Sequence, residues 1–213
     1  EHLSDRGIDH VVLERSRIAE RWRTERWASL VANGPAWHDR FPGLEFDDVA
    51  PETFPPKERM AQYFEDYAKM IKAPVRTNVE VKSVQRCDGR PGFIAKTSQG
   101  EIEAQRVVAA TGPFQVPAFP KIVPEGSGIA QIHSSNYKNP DQLADGAVLV
   151  VGGGASGSQI AEELMRAGRK VYLSIGEHYR PPRSYRDRDY VWWLGVLGKW
   201  DEIKTQAKKK HVA

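Results

Sequence analysis

Apolar residues fall along this chain in three rhythms. Met60, Tyr63, Phe64, Tyr67, Met70 and Ile71 recur at helical spacing, so a helix is expected there, with Pro56 at its first position and Pro74 at its end. Val79–Val84, Phe93–Lys96 and Glu101–Val108 are strand-forming runs separated by the turn signals Asp88-Gly89 and Gln99-Gly100, which predicts a small antiparallel meander. Its last strand is expected to run on into Val107–Gly112. Two more runs, Val11–Leu13 and Ala147–Val151, are apolar without alternation. That pattern marks strands buried on both faces of a parallel sheet. A helix end over Glu1–Arg6, stopped by Gly7, precedes the first run. A helix with Ile160, Ala161, Leu164 and Met165 on one face, stopped by Gly168, follows the second and leads into a strand over Lys170–Ser174. Residues 16–55, rich in Arg, Trp and Pro, predict no regular element, and the Pro-rich stretch 113–146 reads as a boundary between two units.

Between the second apolar strand and its helix stands Gly152-x-Gly154-x-x-Gly157. In that context the first Gly permits a tight turn, the second lets the backbone approach a pyrophosphate, and the third allows close helix–strand packing. The helix N-terminus then offers unpaired N–H groups to the phosphates. The next strand ends at Ser174 where a carboxylate would hold a ribose 2′-hydroxyl, and Arg180, Arg183, Arg186 and Arg188 follow. Absence of the acid and presence of guanidinium forks favour NADPH over NADH, with Arg183 the first choice for the 2′-phosphate. Glu14 shows the opposite chemistry, an acid at the tip of an apolar strand, suited to a ribose with free hydroxyls. The acid normally follows the last Gly of its fingerprint by about 20 residues. The matching Gly-rich turn is therefore expected upstream of residue 1. The fold class expected is α/β, with two Rossmann-like dinucleotide-binding units and a small antiparallel β-meander, truncated at both ends.

Composition narrows this little further. A net charge of +3 gives no global field for nucleic acid. No apolar run is long enough for a transmembrane helix, so no membrane insertion is expected. The single cysteine, Cys87, excludes disulfides and CxxC chemistry and points to a reducing, cytoplasmic setting. Six histidines show no metal-ligand spacing, so no metal site is expected. The aromatic stretch Tyr190–Trp200 reads as a surface that packs against C-terminal parts beyond residue 213 rather than as a membrane-surface stripe.

The order of acid-tipped strand, Trp/Arg-rich loop, meander, Ala110-Thr111-Gly112 and GxGxSG resembles the two-dinucleotide-domain flavoproteins, and among them the flavin-containing monooxygenases. His133 and Tyr137 are similar to the HxxxY half of that family's signature, while Ser127 and Ile129 stand where its Phe and Gly are expected. The resemblance implies a partial FAD-binding domain over 1–120 and a partial NADPH-binding domain over 121–213. It places Glu14, Arg15, Trp22, Val81, Ala110, Thr111 and Gly112 around FAD. Gly152, Gly154, Ser156, Gly157, Ser174 and Arg183 fall around NADPH. Asn33 comes beside the flavin; the Asn33-Gly34 dipeptide alone reads equally as a plain turn. The implied activity is insertion of one oxygen atom from O2 into a small organic substrate through a C4a-(hydro)peroxyflavin. A Baeyer–Villiger monooxygenase acting on ketones, an NADPH-dependent flavoprotein reductase and a non-catalytic nucleotide-sensing module are the alternatives. Self-association into a homo-oligomer stays open. Without the first Gly-rich turn, the 213-residue chain alone is expected to bind FAD poorly and not to turn over.

Overall fold

A computed structural model describes residues 1–112, 116–177, 181–200 and 202. The chain divides into two compact units, one made of Glu1–Leu30 and Lys57–Ala144, the other of Val31–Pro56 and Asp145–Ala213.

In the first unit, α1 (His2–Asp5) stops at Gly7, whose φ of +64° turns the chain back. The Gly7 and Ile8 N–H groups then donate to the carbonyls of Ser4 and Leu3, both at 2.9 Å. Strand β1 (Val12–Leu13) follows. The stretch expected to be irregular contains a short helix, α2 (Glu20–Thr24). Ion pairs Arg17–Glu20 and Arg21–Glu25 line it, and it buries none of its own side chains. A helix with no apolar stripe leaves no hydrophobic rhythm to read.

Helix α3 (Lys57–Met70) runs where the spacing predicts it. Met60, Ala61 and Tyr63 are buried, while Met70, on the expected face, is exposed in the last turn. Strand β2 (Val75–Arg76) pairs parallel with β1, Val12 opposite Val75. The meander is present as β3 (Val81–Arg86), β4 (Phe93–Thr97) and β5 (Gly100–Ala104), antiparallel in that order. It ends sooner than expected. Val107–Gly112 is not strand, and Val108 is 83% exposed. No strand among the described residues lies alongside to take its backbone hydrogen bonds, and apolar sequence alone does not make a strand.

In the second unit, β6 (Val148–Val151), α4 (Ala155–Arg166) and β7 (Val171–Ser174) form a right-sized βαβ element, with β6 and β7 parallel and Val148 opposite Val171. Ile160 and Leu164 are buried, but Met165 is 61% exposed. Five residues on from Ile160 lies about 140° round a helix, off the buried stripe. A hairpin of β8 (Ser184–Tyr185) and β9 (Arg188–Asp189) leads into α5 (Tyr190–Val196), capped by Asp189, whose carboxylate accepts from Val191 N–H at 2.9 Å. Within the aromatic stretch Trp192 meets Trp193 edge-on and Trp193 Nε1 donates to the Tyr185 carbonyl, while Val196 and Leu197 stay exposed.

Leu164 has no exposed surface at all. Leu164→Ala is expected to cost about 2–5 kcal/mol, lost burial plus a cavity. Urea unfolding of wild type and variant checks this.

Candidate functional site

The glycine turn of the second unit is built for close approach. Gly152 has φ of +108°, a conformation that side chains disfavour. Its N–H donates to the Ser174 carbonyl at 2.8 Å, which fixes the turn to the end of β7. A Cβ at Gly157 would lie 1.9 Å from the Gly152 carbonyl oxygen, so helix and turn touch as the third glycine of the motif requires. Gly154 is the reverse: a Cβ there would meet nothing within 4 Å. Its missing side chain leaves room for something other than the protein. Gly154 is also the N-cap of α4, with no side-chain cap, and the first turn holds no acid. The N–H groups of that turn, beside the exposed Ser156, suit an anion.

Ser174 is exposed at the end of β7. Arg183 Nε donates to the buried carboxylate of Asp189 at 2.7 Å, and its guanidinium lies 4.7 Å from the centre of the Phe54 ring. That pair fixes the orientation of the guanidinium. Arg186 and Asp187 form the hairpin tip, both at positive φ (+50° and +56°), so Arg186 is presented to solvent. Arg188 contacts Glu52 at 3.8 Å and the Trp192 ring. Arg180 lies outside the described residues.

Asn33 belongs to this same unit. It is exposed, while Ala32, Gly34, Pro35 and Ala36 around it are buried. Asn33-Gly34 is not the hairpin turn this dipeptide often makes, since neither residue has positive φ. Gly34 is there for space: its N–H donates to Asp39 Oδ2 at 2.8 Å, and a Cβ would lie 2.2 Å from Asp39 Oδ1. Asp39 also holds His38 Nδ1 at 2.8 Å. Neither Asp39 nor its role is signalled by the sequence, because the contact depends on how the loop folds.

In the first unit, Glu14 sits at the end of β1, half-buried, with one carboxylate oxygen accepting from Ser16 N–H at 2.9 Å. Arg15 is exposed and 3.6 Å from Glu25. Trp22 packs on Phe64 of α3, ring centres 5.7 Å apart. Val81 opens β3 and is 40% exposed. Ala110, Thr111 and Gly112 are exposed.

The HxxxY segment is tied to the Trp-rich loop. Ala28 N–H donates to the Lys138 carbonyl at 2.7 Å, and Lys138 Nζ donates to the Thr24 carbonyl, also at 2.7 Å. Tyr137 is buried. Burial, then the neighbouring charge of Lys57, pulls the Lys138 ammonium below its usual range. Burial and Arg21 do the same to Arg26. Trp27 Nε1 and Arg23 Nε are buried donors with no partner among the described residues. Such groups are normally satisfied, so they fit an acceptor-bearing ligand or ordered water nearby. The glycine turn and the start of α4 in the second unit have the features that suit a dinucleotide pyrophosphate.

Residues 1–195 match the profile of the pyridine nucleotide-disulphide oxidoreductases. The chain belongs to this family. It is 40% identical over 190 residues to an oxidoreductase of Geobacillus kaustophilus described as CzcO-like, covering 88% of this chain and 53% of that one. It is 33% identical over 178 residues to the indole-3-pyruvate monooxygenase YUCCA1 of Oryza sativa subsp. japonica, covering 81% and 43%. The fold matches that of a flavin-containing monooxygenase from Stenotrophomonas maltophilia with a TM-score of 0.69 at 21% identity, covering 87% of this chain and 62% of that one. The expected α/β fold and the likeness to flavin-dependent monooxygenases are thereby found in both sequence and structure. The chain spans about half the length of the curated relatives it matches. No helix among the described residues is long and apolar enough to cross a membrane.

Proposed function

We propose that the intact protein is an FAD-dependent monooxygenase that draws electrons from NADPH and inserts one atom of O2 into a small organic substrate at a soft nitrogen or sulfur nucleophile. The observation that carries this reading is the presence, in one unit, of an open dinucleotide cradle at Gly152–Gly157 and a rigidly framed, exposed Asn33. Relatives and a fold neighbour that carry monooxygenase names support it.

When bound, FAD supplies the redox chemistry: hydride accepted from NADPH, O2 reduced, one oxygen atom passed to the substrate and the other released as water. The protein's part is to hold and shield. Glu14 would hold the adenosine ribose hydroxyls of FAD, Val81 would pack against its adenine, and Arg15, Trp22 and Ala110–Gly112 would line the rest of the site. The N–H groups at the start of α4 would hold the NADPH pyrophosphate. Ser174 leaves space for the 2′-phosphate, and Arg183 is the guanidinium assigned to it. Asn33 offers an amide that both donates and accepts beside the flavin, and so favours oxygen transfer over release of peroxide. These roles need no catalytic triad or carboxylate pair.

Asn33→Ala is expected to leave NADPH consumption running while product per NADPH falls and hydrogen peroxide rises about tenfold, the effect of about 1.4 kcal/mol of lost preference. Parallel assays of NADPH, product and peroxide with an amine, a sulfide and a ketone check both the role and the substrate class. Unchanged coupling in the variant rejects the role of Asn33, and turnover of the ketone alone moves the reaction to the Baeyer–Villiger type.

A further inference from the structure

The sequence motif accounts for Gly152, Gly154 and Gly157 but not for Gln159, which stands two residues beyond it on the helix. Its amide makes a reciprocal pair with one residue 128 positions away: Val31 N–H donates to Gln159 Oε1 at 3.2 Å, and Gln159 Nε2 donates to the Val31 carbonyl at 3.3 Å. A side-chain amide here takes the place of a neighbouring strand. Val31 sits opposite Pro56 in an isolated antiparallel bridge whose hydrogen bonds run through the flanking residues, Ala32 N–H to the Pro55 carbonyl among them, so its own N–H and carbonyl point the other way, toward Gln159. The rest of the loop is laced in the same direction, Ala32 N–H to the Pro55 carbonyl and Ala36 N–H to the Thr53 carbonyl, both at 2.8 Å.

Asn33 therefore lies between two anchors. Two residues before it, Gln159 grips both polar groups of the Val31 backbone; one residue after it, Asp39 takes the Gly34 N–H. The first anchor sits on the helix whose N-terminus forms the dinucleotide cradle, about one turn along from Gly154.

We propose that Gln159 is a positioning residue that registers the Asn33 loop on the dinucleotide-binding helix, so that the same rigid element that holds NADP(H) sets where the Asn33 amide points. This rests on the reading of Asn33 given above. Gln159 touches neither the flavin nor substrate in this role; it acts through Val31. Loss of the amide pair lets the loop drift relative to α4 while the glycine turn stays formed, because the turn is held separately by the Gly152–Ser174 hydrogen bond and by the Gly157 contact.

The test compares Gln159→Met, Asn33→Ala and the double variant in the intact, flavin-loaded protein. Gln159→Met keeps the length of the side chain and removes both hydrogen bonds. NADPH affinity and the rate of flavin reduction are expected to stay within about twofold of wild type, since the cradle is intact, while peroxide released per NADPH rises about tenfold, equivalent to about 1.4 kcal/mol. The double variant is expected to be no more uncoupled than Asn33→Ala, because both changes act through one amide. Additive uncoupling in the double variant, or full coupling in Gln159→Met beside an uncoupled Asn33→Ala, overturns the positioning role and leaves that of Asn33 intact. Full coupling in Asn33→Ala removes the role of Asn33 itself and the proposal with it. Should Gln159→Met not fold, Gln159→Glu serves: it can still accept from Val31 N–H but no longer donates to the Val31 carbonyl, so wild-type coupling there also counts against the proposal.

Discussion

Gly157→Ala is expected to abolish NADPH binding and to destabilise the second unit by about 3 kcal/mol or more, the upper range for forcing a methyl group into filled space. The added Cβ would lie 1.9 Å from the Gly152 carbonyl oxygen and 3.6 Å from a methyl of Val150. Both partners are held: Gly152 by its hydrogen bond to Ser174, Val150 by its place in β6. No flexible side chain can swing away, so α4 must move off the strand, and the turn opens with it. Denaturant unfolding together with an NADPH titration measures both effects. A wild-type midpoint would mean that helix and turn are not in contact as described.

Gly154→Ala separates folding from binding. The backbone there is extended, φ −69° and ψ 179°, which any residue adopts, and a Cβ would point into open space. Stability is expected to stay within about 0.5 kcal/mol of wild type, as for a surface change. NADPH affinity is expected to fall at least about tenfold, about 1.4 kcal/mol, because the methyl group occupies the approach of the pyrophosphate to the backbone. A folded variant with unchanged affinity would remove the dinucleotide from this turn. The pair of variants is informative together: two glycines three residues apart are required for different reasons, one by the protein and one by its ligand.

Much of this was readable in the sequence because it is local. The βαβ element around Gly152–Gly157, helix α3 and the three-stranded meander each announce themselves through spacing, turn residues and apolar runs within a few residues. What escaped depends on contacts or on charge. Helix α2 is lined by ion pairs, touches α3 through Trp22, and has no apolar stripe. The apolar run at Val107–Val108 is not strand, since a strand needs a partner that its own residues cannot supply. The largest omission is the loop Val31–Pro56, which the chain order places before α3 but which packs with the second unit. The Gln159–Val31 amide pair that helps hold it spans 128 positions, and no periodicity reports a contact of that range. Asn33 was legible only by resemblance. Its frame, Gly34 pressed on Asp39 and Val31 gripped by Gln159, appears only in three dimensions.

The most direct measurement of the central claim is a stopped-flow absorbance record of the intact protein, reduced with NADPH and mixed with oxygenated buffer in the absence of substrate. The account predicts a long-lived, blue-shifted flavin spectrum that decays only slowly to the oxidised form, shortened in Asn33→Ala. Direct return to oxidised flavin with one peroxide released per NADPH, in wild type and variant alike, would contradict it and make the protein a reductase or oxidase of the same family.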